Sequence, residues 1–351
     1  MSADRVIVDD VVRPLPPSTD NPATGLPFVR CGYLDGGVGS PPLVLEPLPD
    51  GLDLIQWGKE HRAIIDELLT THSAILFRRF NVDSIEAFEA AAAALTDGLI
   101  DYRFRASPRL QLSQRVYSST EYPASERIFP HCEHAYSPVV PSKLLFCCLK
   151  PAASGGETPL GCCRTLTRRL RSPIVERFAK HGVLYVRNYG DGFGLPWQTV
   201  FQSDDRAQVE AYCGQLGIAC EWKPKGRLRT RHTAPALNRH PRTGEQLWFN
   251  HATFFHVTTL RAELRTALRR NFSDIDLPNN SYYGDGSPIE DEILDELRAL
   301  YLSDLREFQW QRGDLLLVDN MLCCHGRNSF AGERSIIVGM AEPVTLGTAC
   351  A

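Results

Sequence analysis

The chain has 351 residues, with 38 basic against 42 acidic side chains for a net charge of −4, and it is 43% hydrophobic and 23% charged. This balance excludes global disorder, which needs low hydrophobicity and high net charge, and it gives no electrostatic basis for unaided binding to a phosphate backbone. No uninterrupted apolar run approaches the roughly 20 residues of a membrane helix, so neither nucleic acid nor bilayer is an expected partner.

In chain order, residues 1–55 are rich in proline and glycine (Pro14, Pro16, Pro17, Gly36, Gly37, Pro41, Pro42) without a sustained period, which predicts an arm lying over the core. Residues 1–17 show no basic region followed by an apolar stretch and a small-residue cleavage site, so a cytoplasmic location is expected and the eleven cysteines are read as reduced and mostly buried. Ile64, Ile65, Leu68 and Leu69 recur at helical spacing and predict a helix over 57–71 that feeds a short buried strand at 72–77. Asp83, three before Glu86, has capping-box spacing and opens an alanine-rich helix. The apolar run 142–149 between Pro141 and Pro151 reads as a central strand, turned by Gly155-Gly156-Glu157-Thr158-Pro159. Helices follow over 203–216, 259–272 and 287–301, the last with Ser287 as cap and Pro288 at its first position. Short strands at 314–318 and 335–340 close the chain.

The chemistry concentrates at His131-Cys132-Glu133. In a strand, side chains at i and i+2 share a face, so His131 and Glu133 converge on one point and Cys132 faces away. A lone pair of this kind is weak and needs a third ligand, for which His325 after the turn 319–324 is the candidate. Two imidazoles and one carboxylate on one face of a metal leave three positions open, the arrangement of non-haem Fe(II) oxygenases. If 2-oxoglutarate fills two of them, its far carboxylate needs a buried bidentate cation, which Arg334 supplies, with the Thr158 hydroxyl beside it.

Together, His131-x-Glu133, the 155–159 turn, Gly313-Asp314, Asp319-Asn320, His325-Gly326-Arg327 and Arg334 resemble the taurine catabolism dioxygenase family of Fe(II)/2-oxoglutarate enzymes. Val116 to Pro123, Arg187-Asn188-Tyr189-Gly190, Gly192-Phe193-Gly194, Trp197-Gln198, Trp248 to His251 and Phe254-Phe255-His256 are similar to its branch of syringomycin-type aspartyl hydroxylases. The resemblance implies a mainly β fold with added helices, a double-stranded β-helix or cupin-like jelly roll, over 56–351, with helical insertions around 200–310. It puts iron on His131, Glu133 and His325 and the 2-oxoglutarate carboxylate on Thr158 and Arg334. With O2 as oxidant it implies hydroxylation of an amino acid or related small molecule in specialised biosynthesis, with release of succinate and CO2. Halogenating relatives lack the carboxylate at Glu133, which favours hydroxylation, although the same cofactors also carry out desaturation, epoxidation and cyclisation. Cys132 in place of an asparagine, and Ser335 in place of a second basic residue after Arg334, depart from the family pattern.

Substrate contacts are expected from Tyr117, Glu121, Tyr136, Arg231, Asn250 and His251, each of which could equally be a satisfied core or surface residue. Of the basic runs 164–171 and 223–231, the second is expected to meet a substrate carboxylate or an acidic carrier protein through Arg229 or Arg231. A homo-oligomer is compatible with the composition. Two competing classes are a zinc hydrolase on the same three ligands, which has no need of Arg334, and a jelly-roll binding module that has lost turnover. The ligands lie nearly 200 residues apart in sequence, which requires one barrel rather than two independent halves.

Overall fold

The computed structural model describes residues 25–34, 41–101, 104, 106–190 and 194–347. The proline-rich residues 1–24, Gly36 and Gly37 of the expected arm, and Gly192-Phe193 of the motif set lie outside the described residues. A seven-stranded sheet runs in the order Val29–Tyr33, Leu43–Pro47, Ala74–Phe77, Leu315–Asp319, Val139–Lys150, Ser335–Thr345, Tyr117–Ser118. Its pairings are antiparallel except for Leu43–Pro47 beside Ala74–Phe77. A three-stranded sheet faces it, with Cys323–Arg327 between Ile128–His131 and Leu160–Cys162. These two sheets are the two walls of the jelly roll.

The central strands read as continuous apolar runs because both of their faces are buried. Alternate residues of Val139–Lys150 go opposite ways. Leu145 and Cys147 join Leu315, Leu317 and Ile337 under the helices Leu54–His72 and Ile85–Leu95, where Ile65, Leu69, Phe88 and Leu95 cover the outer face. Leu144, Phe146 and Cys148 join Leu316, Val318 and Val338 on the inner face, against Leu160 and Cys323 of the small sheet. A third cluster fills the insertion between the two halves of the barrel. There a four-stranded sheet (Ala219–Lys223, Arg227–Ala234, Val183–Tyr189, Asn279–Tyr283) accompanies the helices Arg206–Gln215, Ala262–Asn271 and Asp291–Leu302. Among the described residues no helix is long and apolar enough to cross a membrane.

Three local expectations need correction. Part of the predicted arm belongs to the main sheet: Val29–Tyr33 is its edge strand, and Leu43–Pro47 beside it is buried along its whole length, its short apolar run disguised by the flanking prolines. The helix after residue 83 is capped by Ser84, whose side chain accepts from Ala87 N, not by Asp83. The helix expected from Ser287 starts at Asp291, because Ser287 N and Oγ both bond Asp285 Oδ1, at 2.9 and 2.6 Å, and close a local turn instead.

Gly326 sets the spacing of the small sheet. A Cβ there would fall 2.6 Å from Ile128 O and 3.3 Å from Pro159 Cγ, so only glycine lets these chains approach. Gly326→Ala is expected to cost about 1–3 kcal/mol through backbone displacement, measured by urea unfolding, and to reduce metal binding in parallel.

Candidate metal centre

Pairing within the small sheet builds the site. Cys323–Arg327 and Ile128–His131 are antiparallel in a register that sets His325 directly opposite His131, with a bulge between His325 and Arg327. Their ring centroids are 4.8 Å apart. The strand carrying His131 ends there, so Glu133 does not share its face by strand alternation; it sits in the following turn and reaches the same point by another route. Ligand atoms of His131, Glu133 and His325 all lie within 4.8 Å of one another.

Each ligand is held by identifiable partners. His131 Nδ1 donates to Phe129 O at 2.9 Å, which fixes the tautomer and leaves Nε2 as the free lone pair. Phe254 stacks on the same ring at 4.2 Å between centroids. His325 packs against Phe146, and its buried Nδ1 has no hydrogen-bond partner among the described residues. Glu133 is 5% exposed, and its Oε2 accepts from Arg109 Nη2 at 2.9 Å. Its backbone is gripped by Asn320: Oδ1 accepts from Glu133 N at 2.7 Å, and Nδ2 donates to Glu133 O at 2.8 Å.

Protonation states suit a cation. Burial drives His131 and His325 below the usual imidazole range, so both are neutral donors. Burial alone would raise Glu133, but Arg109 and the neighbouring histidines hold it at about 2. Two neutral imidazoles, one carboxylate and an orphaned buried ring nitrogen fit a divalent ion.

The same cavity is lined by Thr158, Ser119, Arg109 and Arg334 beside His131 and His325. Arg334 Nε donates to Gly156 O at 3.0 Å and Nη1 to Ser119 Oγ at 3.3 Å. Gly156 makes the cradle, since a Cβ there would lie 3.0 Å from Arg334 Cδ. Among the described residues no carboxylate pairs with Arg334, and burial, with Arg327 nearby, pulls it down to about 10, so it stays charged. Thr158 Oγ1 accepts from Trp310 Nε1 at 3.1 Å, leaving its own proton to donate. A half-buried cation hydrogen-bonded only to neutral groups, beside a hydroxyl with a proton to donate, suits a carboxylate delivered by a ligand.

The expected substrate residues divide. His251 stands against the triad and Tyr136 behind it: the His251 ring lies 5.8 Å from His131 and 5.2 Å from Tyr136, and His251 Nε2 donates to Cys132 O at 2.7 Å. Tyr136 gives its hydroxyl to Phe104 O. Four others do not join them. Tyr117 is packed in the inner core, Glu121 is exposed, and Asn250 spends its amide on Ala236 O and Ala252 N. Arg231 pairs with Glu221 at the surface. Arg229 is buried on Asp276, Glu221 and Asn188, which makes it a structural cation rather than an anion receptor. In the first run, Arg164, Arg169 and Arg171 likewise pair with Glu245, Asp304 and Glu296. Arg109 was not anticipated; it lies in an irregular stretch with no periodicity or motif to single it out. All ten described cysteines are free. Cys132 is buried in the core with Sγ 3.6 Å from Cys163 Sγ, although the strand has already ended at His131 and alternation does not set its direction.

Residues 43–341 match the family described as taurine catabolism dioxygenase TauD, TfdA. The dapdiamide synthesis protein DdaC of Enterobacter agglomerans is 39% identical over 280 residues, 80% of this chain and 85% of that protein. A clavaminate synthase-like protein of Arabidopsis thaliana is 29% identical over 317 residues, 86% of this chain and 92% of its own. Among solved structures, PvcB of Pseudomonas aeruginosa superposes with a TM-score of 0.52 at 17% identity, covering 89% of this chain and 90% of that one. A taurine dioxygenase of Burkholderia xenovorans gives 0.51 at 15%, covering 92% and 90%. The two structures share the jelly-roll fold with this chain.

Burial holds His134 at about 4 and His251 at about 3, below the ordinary 6.5. The unfolded chain takes up these protons near 6.5 while the native state refuses them, so stability is lost as pH falls through that window. Glu133 acts lower, its contribution being lost only between its ordinary 4.5 and about 2. Each histidine is expected to cost about 1.4 kcal/mol per pH unit between roughly pH 6 and 4.5. Urea unfolding of metal-free protein at stepped pH measures this, and a flat profile would show both rings to be solvated.

Proposed function

The chain belongs to the taurine catabolism dioxygenase family of Fe(II)- and 2-oxoglutarate-dependent oxygenases, and from that premise we propose that it hydroxylates an amino acid or amino-acid-like small molecule in a biosynthetic pathway. We assign the iron to His131, Glu133 and His325 and the far carboxylate of 2-oxoglutarate to Arg334 and Thr158. Iron with this cosubstrate and O2 supplies the oxidising power for an unactivated C–H bond, 2-oxoglutarate leaving as succinate and CO2.

The observation that carries the assignment is Arg334. It is a half-buried guanidinium in the same cavity as His131 and His325, and among the described residues it has no ion pair with a carboxylate. A hydrolase has no use for such a group. The protein's own part is positional: Arg334 and Thr158 orient the cosubstrate, while Phe254 and Phe146 wall the imidazoles with apolar surface and exclude water. Glu133 occupies the place that halogenating relatives leave for chloride, which supports hydroxylation. The relative serving dapdiamide synthesis supports a biosynthetic substrate. Internal ion pairs take up most of both basic runs, which supports a free small molecule over one carried on an acidic protein.

Anaerobic addition of Fe(II) and 2-oxoglutarate is expected to give the visible charge-transfer band of a chelated keto acid, with succinate released on admitting air. Arg334→Ala should raise the 2-oxoglutarate requirement about 100-fold or more, the cost of emptying one side of a buried ion pair. No band and no succinate with any amino acid tested would leave a binding module instead. During aerobic turnover without substrate, Cys132, Cys163 and Cys324 are expected to oxidise before the half-buried Cys31, Cys162 and Cys220. Peptide mass spectrometry showing uniform oxidation would contradict an oxidant generated at this metal.

A further inference from the structure

We propose that His251 is a positioning residue for the metal centre: it pins the peptide unit between His131 and Glu133 and ties that turn to the insertion sheet. The proposal rests on the reading of His131, Glu133 and His325 as ligands.

The peptide that joins Cys132 to Glu133 carries the Cys132 carbonyl at one end and the Glu133 N–H at the other, and its rigid plane sets the direction in which the Glu133 side chain departs. No strand ladder holds this plane, because the strand has ended at His131. Two side chains from different parts of the fold hold it instead. Asn320, directly after the main-sheet strand Leu315–Asp319, accepts from Glu133 N at 2.7 Å. His251 Nε2 donates to Cys132 O at 2.7 Å. The other donor to that carbonyl among the described residues is Ala135 N, at the long distance of 3.4 Å, so the imidazole is its principal partner.

Core filling does not account for a histidine here. The residue is 2% exposed, and its ring is boxed by Tyr136, Phe254 and Phe255 at 5.2, 4.9 and 4.9 Å between centroids. Because Nε2 carries the proton given to Cys132 O, Nδ1 is left as a bare acceptor, buried and without a hydrogen-bond partner among the described residues. An orphaned buried acceptor is destabilising, and a phenylalanine would fill the same box without one. What a phenylalanine cannot do is donate to Cys132 O.

His251 is itself placed from the insertion. Its N–H donates to the Tyr185 hydroxyl at 2.8 Å, on the strand Val183–Tyr189, and Ser281 Oγ on the paired strand Asn279–Tyr283 donates to Ala252 O at 2.5 Å. Phe254, three residues on, stacks against the His131 ring. Residues 251–254 therefore touch the first ligand, the peptide after it and the insertion sheet together. His251 acts through the Cys132–Glu133 peptide.

Co(II) added to metal-free protein tests this, with visible absorption reporting both affinity and ligand geometry. His251→Phe is expected to weaken Co(II) binding about 10- to 100-fold and to move the ligand-field bands. His251→Gln, which keeps an N–H donor at similar reach, is expected to bind within about threefold of wild type and to restore the spectrum. Wild-type affinity and spectrum in His251→Phe would overturn the proposal, as would equal losses in both variants, which mark a ring needed only for packing. Should His251→Phe fail to fold, judged by circular dichroism, Tyr185→Phe decides: losing the one hydroxyl that holds His251 N is expected to weaken Co(II) binding about 3- to 10-fold, and unchanged affinity overturns the tie. Glu133→Ala is measured in parallel. Undiminished Co(II) binding there refutes the ligand assignment itself, whereas its loss beside wild-type affinity in His251→Phe refutes only the positioning role.

Discussion

The hydrogen-bonded register between Ile128–His131 and Cys323–Arg327 is the constraint on which everything else depends. It places His131 opposite His325 although the two are far apart in sequence. A slip of one residue would send one imidazole to the other face and dissolve the site. Gly326 permits the close approach, and Leu160–Cys162 braces the same strand from its other side. The main sheet then supplies what this small sheet lacks. Its strand Leu315–Asp319 ends in the Asp319-Asn320 turn that grips Glu133, and Ser335–Thr345 starts directly after Arg334.

Charge is distributed with the same economy. Within one cavity Arg109 is matched to Glu133, while Arg327 donates to the carbonyls of Tyr122, Pro123 and Glu126. Arg334 meets only neutral groups there. Partly desolvating a cation without an ion-paired carboxylate has a cost, and a ligand carboxylate arriving there would offset it. The neutral buried histidines follow the same logic, because their desolvation keeps lone pairs available to a metal at neutral pH.

Much of this was legible in the sequence, and the boundary is instructive. That His131, Glu133 and His325 come together, and Thr158 and Arg334 with the two histidines, could be read because each belongs to a short local pattern, although Glu133 gets there by a turn and not by strand alternation. The helices with clear periodicity were also readable to within a few residues. What stayed hidden depended on contacts distant in the chain. Arg109 carries no local signal and acquires its role only when folding brings it to Glu133. Asn320 was visible as part of a motif, but its hold on a backbone 187 residues away was not. Arg231 and Arg229 looked like an anion site because a one-dimensional reading cannot see Glu221 and Asp276 folding back onto them. Ser287 satisfied the local rules for a helix cap and was claimed by Asp285 instead.

The placement of the three ligands has a consequence for how firmly the barrel is closed. Two of them lie on adjacent strands of the small sheet, and the third lies on a turn whose backbone is tied to the end of a main-sheet strand. An ion held among them is therefore a cross-link between the two walls of the barrel as well as a cofactor. Binding free energy spent there favours the closed barrel over its frayed forms. Loss of the ion would then leave the barrel easier to open as well as remove its chemistry.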